Sequence, residues 1–171
     1  DRFNAPENVN YPYQACHMTT HAAKYLAPLI LYLLAIISFH SHGLACYGAL
    51  IFAWILVPLV ELFIAPDPKN LAAAEEAMVQ KDKVYDYLLY AIVILNFLTL
   101  LYFLFRMRAD DLNTTDIIGR VATMGLLLGT FGINIGHELG HRVKPFEKWL
   151  ARLSLMTSGY IHFYIEHNKG H

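Results

Sequence analysis

The sequence predicts an all-α fold, a polytopic transmembrane helical bundle, on three observations. Hydrophobic residues fill 56% of the 171 positions against 16% charged, and the mean hydropathy is +0.37. The apolar residues lie in long blocks, whereas a soluble core would scatter them at helical spacing. Four of those blocks reach the roughly 20 residues that a spanning helix needs. The charge balance, 13 Lys and Arg against 14 Asp and Glu, leaves no basic stripe and argues against nucleic acid as a partner. Cys16 and Cys46 are too few for a disulfide scaffold or a thiolate zinc site.

Along the chain, the four spans are expected at about 22–39, 43–65, 87–105 and 117–136. Residues 1–21 are polar and aromatic with no compact apolar core, so no removable signal peptide is expected. Ser41-His42-Gly43 is short enough to force a hairpin between the first two spans. The connection from Pro66 to Lys83 is polar, with a short Ala/Glu helix expected at Leu71–Gln80. The next connection, Arg106 to Asp116, offers helix-cap chemistry in Asn113-Thr114-Thr115. A fifth apolar stretch, Trp149 to Ile165, carries Arg152, Ser154, Thr157, Ser158 and His162, and reads as one helix at the membrane surface or among the others.

Ten Lys and Arg fall on the side of the two termini and the second connection. Three, Arg106, Arg108 and Arg120, fall on the other side, with Arg120 expected at the membrane edge. The positive-inside rule then puts both termini, and everything from His137 onward, in the cytoplasm. Gly125, Gly129, Gly132 and Gly136 mark one face of the fourth span, where another helix can approach closely.

The chemistry sits just beyond that span. His137-Glu138-Leu139-Gly140-His141 places two imidazoles at i and i+4, on one helix face, where they can converge on a cation. A second pair at the same spacing, His167 and His171, follows Glu166, and His162 stands earlier on the same segment. Two such pairs on one side of the membrane point to a metal site, and imidazole alone does not choose the metal. The first pair also matches the zinc-protease pattern, in which Glu138 would be the general base and Glu166 a third ligand. That alternative leaves His167 and His171 without a role. A third class, a transporter or scaffold with incidental histidines, would bind no metal.

The stretches from His137 to Arg142 and from Gly159 to His171 resemble the first and second histidine boxes of the membrane-bound alkane 1-monooxygenases, bacterial di-iron hydroxylases. The hairpin spans, the interspan loop and both boxes follow the family's order, and Phe146, Lys148 and Trp149 match its spacer. The resemblance implies a histidine-ligated site of two iron ions facing the cytoplasm, with His137, His141, His167 and His171 as ligands. Glu138 and Glu166 would orient the imidazoles. It implies hydroxylation of the terminal carbon of medium- or long-chain n-alkanes, drawn from the lipid bilayer, by O2 with electrons from rubredoxin and its NADH-dependent reductase. The location implied is the bacterial cytoplasmic (inner) membrane, multi-pass. The family's second box has a further His directly after the position of His171, and its third box also lies beyond. Residues 1–171 are therefore expected to be the N-terminal part of a single hydroxylase domain with about six spans when complete. The resemblance also points to Trp54, near the middle of the second span, as a limiter of chain length, although packing or lipid contact would equally explain a Trp there.

Other polar residues read as structural. Asn96 suits an interhelical hydrogen bond, and Glu61 lies near enough to the interface to be solvated. His40 and His42 belong to the hairpin end, far from the boxes. His17 and His21 repeat the i, i+4 spacing with no partner motif.

Overall fold

A computed structural model describes residues 27–63, 83–108 and 111–170, and among these every regular element is helical. Helix α1 runs Ala27–His40, α2 Gly43–Phe63, α3 Lys83–Arg106, α4 Thr114–Gly140, α5 Pro145–Thr157 and α6 Ile161–Gly170. The α2 and α4 helices, with the Tyr85–Arg106 part of α3, are long and apolar enough to cross a membrane. The apolar part of α1, Pro28–His40, is shorter, and the first five residues of the span expected there lie outside the described residues. The expected helix at Leu71–Gln80, the His17/His21 pair and His171 also lie outside them. The architecture is that of a multi-pass helical membrane protein.

Leu, Ile, Phe and Tyr dominate the spans, and only part of each helix turns inward. Tyr32, Ala35 and Phe39 of α1 meet Ile92, Val93 and Phe103 of α3 and Met124 and Leu127 of α4 in one core. Leu33, Ile37, Leu98, Phe105 and most of α2 face outward, as helices solvated by hydrocarbon do. The α1–α2 hairpin turns at Gly43, whose φ of +62° suits glycine. The Asn113 side chain caps α4 by accepting from the Asp116 N–H at 2.9 Å.

Two expectations change. The stretch from Trp149 to Ile165 is two helices rather than one. Gly159 takes φ +68°, its N–H reaches the Met156 carbonyl at 3.0 Å, and the Tyr160 N–H reaches Leu155 at 2.8 Å. This paired closure ends α5 and turns the chain into α6. The glycine face of α4 is also split. A π-helical turn at Leu128–Ile133 inserts an extra residue and rotates the remainder of the helix. A Cβ on Gly125 or Gly129 would meet open space, whereas one on Gly132 would strike Ser158 Oγ and one on Gly136 would lie 2.7 Å from Leu155 Cγ. Only the second half of the stripe packs against α5, where Ser154 and Ser158 donate to the Gly132 and Leu128 carbonyls at 2.8 and 3.2 Å.

Arg120 is fully buried at the hairpin end of the bundle. Its guanidinium donates to the Arg106 and Ser41 carbonyls at 3.1 and 3.0 Å, which ties three helix ends together. Asn96 does make an interhelical bond, accepting from Tyr32 Oη at 3.3 Å, and Glu61 is exposed.

Candidate metal centre

The α4 helix continues past its apolar part to Gly140, so His137 and His141 stand one above the other on its last turns. The α5 helix folds back along α4, and the Gly159 turn then directs α6 across the end of α4. That path brings His167 to the first pair, so three imidazoles from two helices form one cluster.

The Nε2 atoms form a nearly equilateral triangle. His137 to His141 is 2.9 Å, His137 to His167 is 3.0 Å and His141 to His167 is 3.1 Å. A neutral imidazole has one N–H and one lone pair, so three converging nitrogens cannot all be satisfied by one another. A cation at the apex satisfies all three. The three nitrogens stand close enough together for one ion to reach all of them.

Phe163, one turn before His167, stacks on that ring at 4.8 Å and 16° and meets His137 edge-on at 5.7 Å. A cleft lined by Gly136, His137, Gly140, Leu155, Phe163, Tyr164 and His167 lies against the triad, apolar except for its imidazole wall. The absent side chains of Gly136 and Gly140 leave the ring of Tyr164 and the side chain of Leu155 close to the α4 backbone.

The remaining expected site residues are placed differently. Glu138 points along the flank of α4 and accepts from Arg142 at 3.2 Å, and Glu166 is exposed on α6. His162 is also exposed, its ring 4.7 Å from that of Tyr160. Trp54 lies on the outer side of a π-helical turn in α2, 68% exposed. His42 and His40 bind Asp116 and Tyr102 at the hairpin end, away from the triad.

Sequence reasoning passed over a polar frame beside the triad. Arg142 bridges Glu138 and, at 3.1 Å, Asp86 at the start of α3. Partial burial alone would weaken the charge of Arg142, but the Asp86 and Glu138 carboxylates outweigh it and hold the guanidinium more firmly protonated than in water. Glu147, on the first turn of α5, is almost fully buried; it accepts from Tyr90 Oη and from Lys144 at 3.3 Å. Desolvation would raise its carboxyl, but these two donors and nearby Arg142 leave it below the usual carboxylate range. The available signal was an Asp opening an apolar span and an Arg directly following a histidine pair.

No family model matches the chain. Curated relatives do match. The chain is 32% identical over 126 residues to alkane 1-monooxygenase 1 of Alcanivorax borkumensis, covering 73% of this chain and 31% of that protein. It is 30% identical over 126 residues to the alkane 1-monooxygenase of Pseudomonas putida, again 73% of this chain and 31% of the relative. Over 124 residues it is 28% identical to the alkane 1-monooxygenase of Acinetobacter baylyi, with coverage of 72% and 30%. The chain thus spans about a third of the length of the curated relatives it matches.

Proposed function

We propose, from the premise that this chain is a relative of the alkane 1-monooxygenases, that it is part of an integral-membrane monooxygenase hydroxylating the terminal carbon of medium- or long-chain n-alkanes. The observation that carries the reading is the triangle of His137, His141 and His167 Nε2 atoms at 2.9–3.1 Å. Imidazole suits iron and zinc alike, so the preference for iron rests on the chemistry the reaction needs. Bound iron would supply the activation of O2 that an unactivated C–H bond requires and that redox-inert zinc cannot provide. His137, His141 and His167 would hold it, with His171 as a further ligand from the second box.

Two iron ions need more nitrogen donors than this triad offers. Further ligands would come from segments outside residues 1–171, in keeping with the third of the relatives' length that the chain spans. Residues 1–171 would then be the N-terminal part of a single hydroxylase domain. The zinc-protease alternative asks Glu138 to act as a base at the metal, but that carboxylate is engaged by Arg142 on the flank of α4. Glu138 and Glu166 would serve around the centre rather than as ligands.

An alkyl chain reaching the triad from the bilayer would meet the apolar side chains of Leu155 and Phe163 beside His137 and His167. Phe163 stacks on one face of the His167 ring and meets His137 edge-on. Trp54 would limit chain length only if a further segment closed over it, since its indole is outward in this chain. Trp54→Ser in the complete protein would then shift the profile toward longer alkanes, and an unchanged profile would remove Trp54 from this role.

The reaction takes two electrons from outside, for which rubredoxin, reduced by its NADH-dependent reductase, is the proposed donor. The Lys and Arg asymmetry supports a triad on the cytoplasmic face of a bacterial inner membrane. Metal analysis of the purified full-length protein tests the reading. Two irons per chain, with rubredoxin-dependent formation of a 1-alkanol, is the expected result. One zinc with peptide hydrolysis, or no metal, would overturn it.

A further inference from the structure

The α4 helix stops at Gly140, and beyond it the His141 and Arg142 N–H groups both turn back to the Leu139 carbonyl, the second at 3.2 Å. Terminal turns of this kind fray. Yet His141 lies on this turn, with its ring exposed, and the triangle of nitrogens tolerates little displacement. The Glu138–Arg142 pair is i, i+4 on the same helix; it stiffens the turn but cannot fix it relative to the bundle.

Leu139 packs this end against Leu150 and Ala151 of α5, and α3 adds a polar tie to it. Asp86 Oδ1 takes one guanidinium nitrogen of Arg142 at 3.1 Å while Glu138 takes the other at 3.2 Å, so one planar group joins the two helices. Lys144 adds a second, longer contact to Asp86 at 4.0 Å and a closer one to Glu147. One turn along α3, Tyr90 binds Glu147 and its ring packs edge-on against Phe146 at 5.5 Å. Two α3 residues at i and i+4 therefore hold both ends of the segment Arg142–Glu147.

We infer that Asp86 is a positioning residue for the histidine triad: acting through Arg142, it holds the turn that carries His137 and His141 in register with His167 and so sets the metal affinity of the site. The inference rests on reading the triad as a metal site. Asp86 touches no imidazole, and its shortest link to the α4 end is the Arg142 guanidinium. Arg142→Lys should imitate much of its loss, because a shorter-reaching ammonium lacks the planar fork that faces Asp86 and Glu138 at once.

The test uses the full-length protein in detergent and titrates it with Co(II), read by the visible ligand-field bands and by equilibrium binding. Asp86→Asn and Arg142→Lys are each expected to weaken Co(II) binding about tenfold, the lower end for outer partners of metal ligands. The bands should broaden or shift in both, and Asp86→Glu should recover most of the affinity. Asp116→Asn, at the opposite end of the bundle, is the control and should leave Co(II) binding unchanged. Wild-type affinity and spectrum in both Asp86→Asn and Arg142→Lys would overturn the inference, as would an equal loss in Asp116→Asn. A wild-type protein that binds neither Co(II) nor iron would instead overturn the metal reading and this inference with it.

Discussion

At its Thr114 end α4 carries Asp116 and Arg120, both fully buried and both bonded to main chain. Asp116 accepts from the Gly43 N–H and from His42 at 2.8 Å, while Arg120 donates to two helix-end carbonyls. At its Gly140 end the same helix carries His137 and His141, whose Nε2 atoms face each other and that of His167 within 3.1 Å. The first arrangement joins unlike groups, carboxylate to N–H and guanidinium to carbonyl, and closes the hairpin end. The second gathers like groups, which is stable only when something of opposite character sits among them. Polar residues inside a membrane bundle thus divide into those that complete the fold and those that wait on a ligand.

The sharpest way to break the comparison is to remove one residue from each end. His141→Ala should lower metal affinity by at least about 100-fold, since one of three donors is gone. It should leave the unfolding transition of the metal-free protein in place. Asp116→Ala should do the reverse, costing about 1–2 kcal/mol by removing the buried acceptor of the half-buried Gly43 N–H and of His42. Equilibrium unfolding in mixed micelles, run beside a metal titration, reads both. A variant that moved both quantities equally would show the two ends to be one cooperative unit.

A smaller effect separates the two halves of the α4 glycine stripe. Gly132→Ala should destabilise by about 1–3 kcal/mol, because Ser158 must give up its place and Asn96 must yield slightly. Gly129→Ala, facing open space, should be neutral or stabilise by about 0.5–1 kcal/mol through its helix preference. Thermal unfolding of the pair tests the rotation introduced by the π-helical turn; equal effects would count against it.

The smallest expected effect concerns pH. Glu147 titrates below its ordinary value of 4.5, so its contribution to stability is complete above that value and is lost as pH falls through the lower, folded value. Glu147→Gln should flatten the acid limb of stability below about pH 4.5 and leave the neutral plateau slightly lower. An acid limb of unchanged slope would mean that Glu147 is not ionised in the folded protein.

Much of this was legible in the sequence. Blocks of Leu, Ile and Phe announce spanning helices because hydrocarbon leaves the backbone no partner but itself. The 3.6-residue repeat places His137 beside His141 without any knowledge of the bundle. Asn96 could be assigned to an interhelical bond from its depth in the third span. Other features were written in the chain but hidden by stronger signals. The apolar run from Trp149 to Ile165 obscures the break at Gly159, and the regular glycine spacing conceals the π-helical turn that divides it.

What the sequence by itself determined is local: helix, span, and the pairing of residues three or four apart, all set by backbone geometry and by the cost of exposing peptide groups to lipid. Which helices meet, and at what rotation, was decided only by tertiary packing. That level brought His167 across to His137 and His141, turned Trp54 outward, buried Arg120 among three helix ends, and set Asp86 against Arg142. The physical reason is one of range. Hydrophobicity and helix period act along the chain, whereas a site of three nitrogens about 3 Å apart depends on the contacts between helices far apart in sequence.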